Sequence, residues 1–557
     1  MQILHAIDYA VFFFYFLVIT FYGLWIYYRK KKRREDSKDY FLAEGSLTWW
    51  AIGASLIASN ISAEQFIGMS GSGFQMGLAI SAYELLGAAT LVVVAVFFLP
   101  VYLKNKIYTM PQFLRQRYNE TVSMIMAVFW LLLYVVVNLT SILYLGALAI
   151  NGISGLNPSV CMVLLAIFAL CITLGGMKVI GYTDVIQVFF LVLGGLATTY
   201  LALNLVATYF GSTGIWNGFQ IMTREADEHF HLIFDQSDPF YMDLPGLSVL
   251  IGGMWIVNLS YWGCNQYITQ RALGADLKTA RNGLLFAGFL KLLMPLIVVI
   301  PGIAAYVLYQ QGAFQSEMLV GGELNPDKAY PVLLNLLPIG LKGLAFAALT
   351  AAIVASLAGK ANSIATIFTL DIYQKVFHKN ASEKHMVRVG KVVIVISLLM
   401  AIVIAPFMGI DKKGGFQYIQ EYTGFVSPGI FAMFLLGFFW KKTTSNAALF
   451  ATIGGFAFSV LFKFLPRLMD LSFLFPLGLS VPNAAGVYEI PFIDRMGLVF
   501  LICILGMFLI TRRELGRDGN NPRGLEIDRS MFQTHPGFTI GALLIIGILL
   551  ALYTVFW

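Results

Sequence analysis

Apolar runs long enough to cross a bilayer recur from one end of this 557-residue chain to the other, with short polar connections between them. About fourteen spans are expected, roughly over 9–28, 47–73, 79–103, 121–150, 158–177, 183–208, 245–269, 284–310, 337–372, 386–408, 416–439, 446–465, 491–511 and 537–556. The pattern predicts an all-α polytopic membrane protein.

One run departs from the rest. Between Gly53 and Gly73 the middle carries Ser59, Asn60, Ser62, Glu64 and Gln65, and glycines punctuate it. Polar backbone and side chains persist at membrane depth only where protein buries them or water reaches them. Interrupted helices of this kind let secondary transporters offer carbonyl oxygens to an ion and side chains to a substrate. A transporter is the reading. The seventh run holds a second polar interruption, Asn258-Leu-Ser-Tyr-Trp-Gly263. It lies five spans after the first, so the two enter from opposite sides. Two inverted five-helix halves, each opening on a broken helix, would place a binding site between them at the midplane.

Composition narrows the class. Hydrophobic residues make up 58% of the chain and charged residues only 12%, with a mean hydropathy of +0.77; a soluble domain carries about twice that charge. The net charge of +7 would admit a nucleic-acid partner, but the basic residues sit in short connections and set topology instead. Arg29-Lys-Lys-Lys-Arg-Arg34 marks the cytoplasmic side, with the N-terminus outside. The first run lacks the basic start and cleavage site of a signal peptide, so it reads as a retained span. Lys104–Arg117, Lys178, Arg271–Arg281, Lys375–Lys391, Lys441-Lys442 and Arg512–Arg529 then fall inside, and 209–244 outside. In that outer connection Glu225-Ala-Asp-Glu-His-Phe-His231 reads as a solvated acidic surface rather than a metal site. Arg512–Arg529 reads as a mobile linker. Cys161, Cys171, Cys264 and Cys503 lie in apolar segments without metal spacing and read as buried thiols. No Gly-rich phosphate loop follows a strand, no Ser/His/Asp set can be assembled, and none of the six histidines lies deep in a span, so no enzyme is expected.

Two ionisable residues stand deep in apolar segments, Glu84 and Lys291. With the amides of Asn60, Gln65, Asn258 and Gln420 they offer donors and acceptors together, as a polyhydroxylated solute requires. Tyr261 and Trp262 add flat faces for a sugar ring. A purely structural Glu84–Lys291 pair joining two helices accounts for the same residues equally well.

Longer motifs add to this reading. Asp39-Tyr-Phe-Leu-Ala43, the stretch from Ala58 to Ser70, the stretch from Tyr182 to Phe190, Gly263-Cys-Asn-Gln-Tyr267, the stretch from Asn362 to Tyr373 and the stretch from Phe416 to Gly424 resemble the sodium/solute symporter family, in its sodium/glucose branch. The resemblance runs from about Asp39 to about Thr444. It implies a LeuT-type core of ten helices in two inverted five-helix repeats, working by alternating access. On that basis residues 1–46 form a first helix and basic loop, 47–440 the core, and 441–557 three peripheral helices. Carried over, Asn60, Gln65, Glu84, Asn258, Lys291 and Gln420 would bind the sugar. Tyr261, with Trp262 beside it, would gate the site from within; Met69, Tyr83 and Phe416 would cap it from outside. Sodium would lie on the carbonyls of Ala58, Ile61 and Ala352 and the hydroxyl of Ser356.

Several positions depart from the family's pattern. Gly87 stands where the sugar site has a serine, and Ser260 replaces an aromatic beside the gate. Ala355-Ser356 replaces two successive serines, which weakens the sodium site by one oxygen. Ala358 and Gly359 remove the hydroxyls of a second sodium position. Lys360 follows one turn after Ser356, as a cation surrogate with Asp184 as its counter-charge or as a side chain snorkelling to the cytoplasmic vestibule. The expected function is sodium-coupled import of a monosaccharide across a bacterial inner membrane. The alternatives are a sodium-independent or proton-linked sugar carrier in which Lys360 and Asp184 substitute for the ion, and a membrane sugar sensor. The expected partners are the sugar, the sodium ion and the lipid bilayer, with no nucleic acid and no obligate protein.

Overall fold

A backbone in hydrocarbon has to satisfy its own N–H and C=O groups, and this chain does so with helices. The fold is that of a computed structural model describing residues 4–29, 47–320, 322–407, 415–483, 485–515 and 524–557. Strands among these residues are limited to two small hairpins in connections, Leu319–Val320 with Glu323–Leu324 and Val481–Pro482 with Tyr488–Glu489. The basic stretch 30–34, the motif 39–43 and positions 516–523 of the expected linker lie outside the described residues.

By length and composition, eleven described helices can cross a membrane, or up to twelve if the bent pair Gly415–Gly424 and Ser427–Phe439 is one span. The expectation of about fourteen is therefore not met by length alone. Pro158–Thr173 has only 16 residues. The helix Trp49–Asn60 is cut off from its continuation by a break.

That break has a local cause. The helix stops at Asn60 and Ile61 is extended, with φ −77° and ψ 112°. The Ser62 N–H then donates to Gln65 Oε1 at 3.0 Å, and the Glu64 N–H to Ser62 Oγ at 3.1 Å. These side chains take over donors that the helical ladder would otherwise use. A π-helical turn, Glu64–Met69, restarts the segment and leads into Ser70–Met76.

The second break is real but displaced. Asn258–Gly263, expected to be unwound, lies inside the helix Gly253–Cys264; the extended residue is Asn265, and Gln266–Leu273 follows. The cause comes from far away in the chain. The Tyr134 hydroxyl donates to Asn265 Oδ1 and accepts from the Gln266 N–H at 3.1 Å, while the Tyr102 hydroxyl donates to the Gly263 carbonyl at 2.7 Å.

The helix Leu341–Thr366, in the segment expected as the eighth of the core, is buried along nearly all its length. Its start is capped by the first helix, Ala6–Arg29: Asp8 Oδ1 accepts from the N–H of Gly340 at 2.7 Å and of Gly343 at 3.0 Å. Glycine is required at 343, because a Cβ there would meet the Asp8 carbonyl oxygen at 2.5 Å.

Two sequence expectations fail at the periphery. His229 is buried rather than solvated, its Nε2 3.1 Å from the Phe74 carbonyl and its ring stacked 4.0 Å from Tyr306. Its neighbours Glu225, Asp227, Glu228 and His231 are exposed. Among the cysteines, Cys161, Cys264 and Cys503 are buried but Cys171 is exposed. A helix face that packs nothing inside the protein exposes its thiol along with its apolar neighbours.

Candidate functional site

The break after Asn60, the helix Gly253–Cys264 and the third, eighth and eleventh expected spans bring their chemistry to one cavity. Asn60, Gln65, Glu84, Asn258, Lys291 and Gln420 all line it, together with Tyr83, Tyr261, Trp262 and Phe416. About 80 Å³ of the cavity is open to the centres of water molecules, room for several of them.

Glu84 and Lys291 form the charged centre. Lys291 Nζ donates to Glu84 Oε2 at 2.5 Å, and the ammonium also lies 5.2 Å from the Trp262 ring centroid. The amides are anchored differently. Asn60 Nδ2 donates to the Tyr261 hydroxyl at 3.0 Å, and Asn258 Nδ2 to the Met254 carbonyl at 3.1 Å. Asn60 Oδ1 and the Tyr83 hydroxyl have no partner among the described residues. Buried polar atoms normally find one, so these are places for a solute hydroxyl or a water. A Cβ at Gly87 would lie 3.3 Å from both Asn258 Oδ1 and Trp262 Nε1, which puts the missing hydroxyl among the polar atoms of the cavity.

Aromatic rings bound the cavity on two sides. Tyr83 and Phe416 meet edge to face at 5.0 Å. The helix Gly415–Gly424, which carries Phe416, rests on Gly68, where a Cβ would meet the Phe416 nitrogen at 2.8 Å. Met69, expected in this cap, is fully buried and does not line the cavity. On the other side Tyr261 packs edgewise on Trp262 at 5.1 Å and on Tyr267 at 5.7 Å.

Next to the cavity, the first and eighth core helices meet. Ser356 Oγ donates to the Ser59 carbonyl at 3.0 Å, and Ala58, Ile61, Ala352 and Ala355 are buried around that contact. A helix that ends at Asn60 leaves its last carbonyls without an N–H one turn on, which makes them available to a cation.

Here the structure corrects one pairing. Asp184 does not face Lys360. It accepts from Ser55 Oγ at 2.5 Å and lies 3.8 Å from Arg271 Nη2. Lys360 Nζ lies instead 3.9 Å from Glu64 Oε1 and 5.1 Å from the Tyr267 ring centroid, and both Lys360 and Glu64 line the cavity. The rotation of the eighth helix decides this, and Arg271 fills the space beside Gly359, where a Cβ would meet its Nη2 at 2.5 Å. Nor does Lys360 snorkel, since it is 2% exposed. Glu64, expected only as one of the polar residues of the interrupted run, and Arg271, expected as a cytoplasmic charge, thus stand at the site. Glu64 carried a usable signal, a carboxylate at membrane depth; Arg271 looked like one more cytoplasmic loop charge.

Interrupted helices around a polar, aromatic-bounded cavity define a secondary transporter. Residues 40–455 match the model of the sodium:solute symporter family, and the chain belongs to that family. It is 46% identical to the sodium/glucose cotransporter of Vibrio parahaemolyticus, over 100% of this chain and 99% of that one. Human sodium/myo-inositol cotransporter 2 is 35% identical over 80% of this chain and 68% of its own. Sheep sodium/glucose cotransporter 1 is 31% identical over 92% and 80%. Among solved structures, a Na+-coupled sialic acid symporter in a substrate-bound outward-open state shares the fold, with a TM-score of 0.72 and 22% identity over 91% of this chain and 98% of that one.

Proposed function

We propose that this protein imports a monosaccharide or a closely related polyol by alternating access, driven by a sodium gradient. The observation that carries the reading is the convergence of Asn60, Gln65, Glu84, Asn258, Lys291 and Gln420, from separate segments, on one cavity with aromatic walls. Sugar hydroxyls donate and accept at once, and this set answers both needs. A carboxylate and an ammonium that neutralise each other suit a solute without net charge. The relatives named for glucose and myo-inositol support the same solute class.

Sodium would sit on the carbonyls of Ala58, Ile61 and Ala352 and the Ser356 hydroxyl. An ion there binds both core helices and favours the state that accepts sugar from outside; without it the solute equilibrates. Tyr261 holds the inner side, with Tyr83 and Phe416 over the outer. The N-terminus lies outside, the bilayer is the bacterial inner membrane, and no obligate protein partner or bond-breaking chemistry is involved.

The test is uptake into proteoliposomes of D-glucose, D-galactose, myo-inositol and D-glucuronate, with an inward sodium gradient and with choline in its place. Sodium-stimulated uptake of at least one neutral solute is expected. Uptake of none of them, or an uptake curve that sodium leaves unchanged, would reject this function.

A further inference from the structure

Lys360 lies one helical turn beyond Ser356, whose hydroxyl meets the Ser59 carbonyl at 3.0 Å. Its ammonium faces Glu64 at 3.9 Å, and 3% of its side chain is exposed. Glu64 is held in turn by the Ser141 hydroxyl, which donates to the same Oε1 at 3.0 Å. Because Glu64 opens the π-helical turn beyond the break, the ion pair bridges the eighth core helix to the first. It spans the gap that Ser356 and Ser59 span one turn away.

Two features of that gap work in the same direction. Ala355 brings no side-chain oxygen to it, and the Ser59 carbonyl is already taken up as the acceptor of the Ser356 hydroxyl. A hard cation wants about six oxygens, so the shell is thin. The Lys360 side-chain nitrogen, tethered to the chain and facing a carboxylate, then stands a turn away. A free ion entering the gap must give up its translational freedom, whereas a lysine on the helix has none to lose.

We propose that Lys360, paired with Glu64, is a resident cation of this helix junction: it ties the first core helix to the eighth without sodium and weakens the binding of a free sodium ion there. The inference rests on the sodium-coupled sugar reading and adds a regulator to it. Coupling in this protein is then looser than sodium alone would make it, with sugar exchange continuing when sodium is absent. Two unit charges a helical turn apart in a protein interior repel enough to weaken binding by roughly tenfold to a hundredfold.

The experiment is ²²Na⁺ binding to the purified full-length protein, with choline chloride holding ionic strength constant. Lys360→Met is expected to bind sodium roughly tenfold to a hundredfold more tightly than wild type, and Lys360→Arg to match wild type. If Lys360→Met does not fold, Lys360→Gln gives the same comparison. A bare Glu64 carboxylate could itself attract sodium, so the substitution is repeated on a Glu64→Gln background. There Glu64→Gln/Lys360→Gln should still bind sodium about tenfold more tightly than Glu64→Gln alone. Equal affinities with and without the lysine charge on that background overturn the proposal, as does the absence of saturable sodium binding in every variant. Failure of the sugar reading registers separately, as wild-type vesicles that take up none of the four solutes whatever the sodium isotherms look like.

Discussion

Replacing Lys291 by methionine separates the two roles open to the charged centre. The ammonium meets Glu84 at 2.5 Å, and the two side chains are 2% and 3% exposed. Deleting one member leaves the Glu84 carboxylate without its counter-charge in the protein interior, where such losses cost about 3–5 kcal/mol. Removing both charges, as Glu84→Gln with Lys291→Met, avoids that penalty and is expected to restore stability to within about 1 kcal/mol of wild type. Unfolding in SDS followed by tryptophan fluorescence reads this out, beside sugar counterflow in proteoliposomes. Lys291→Met should be the least stable of the three proteins, and neither variant should exchange sugar. A single variant as stable as wild type would refute the buried pair. A double variant exchanging sugar at the wild-type rate would make the pair a strut and remove it from the binding site.

Other outcomes follow from single contacts. Tyr261→Phe keeps the ring but removes the hydroxyl that accepts from Asn60 at 3.0 Å; sugar should still bind while efflux from preloaded vesicles speeds up several-fold, and an unchanged efflux half-time would show that the hydroxyl holds no gate. Asp8→Ala strips the cap from Gly340 and Gly343, so SDS unfolding should record a loss of about 1–2 kcal/mol; a neutral result would mean that the first helix does not brace the eighth core helix. Burial pushes the His229 imidazole below its usual range, and the Phe74 carbonyl, Glu228 and Asp238 oppose this less strongly. A depressed histidine contributes stability above its unfolded pKa of about 6.5 and loses it as pH falls toward the folded value. Thermal stability should therefore drop below about pH 6.5 in wild type and drop less in His229→Gln; parallel profiles would contradict the docking of this loop.

Much of the architecture was legible because membrane depth is a local, compositional property. Hydropathy alone marks the apolar runs, and polar residues inside such a run have to be buried or wetted. Glu84 and Lys291 stood out for the same reason, as did the interruption at 60–62, where Ser62 and Gln65 compete with the helical ladder within four residues of each other. The resemblance of the motifs to sodium/solute symporters supplied the roles; the residues by themselves left the Glu84–Lys291 pair open between binding and bracing.

Rotation and long-range packing decided the rest. Each residue turns a helix by about 100°, so a small rotation selects Glu64 over Asp184 as the partner of Lys360, and Arg271 had already claimed the other carboxylate. The second break moved to Asn265 because Tyr134, 131 positions earlier, offered its hydroxyl there. His229 left the water for Tyr306 and the Phe74 carbonyl. The sequence by itself determined which segments enter the membrane and which polar groups go with them, because that follows from each segment's own transfer from water. Only the tertiary structure decided which of those groups face one another, because a partner is a matter of distance in space, and neighbouring helices set that distance.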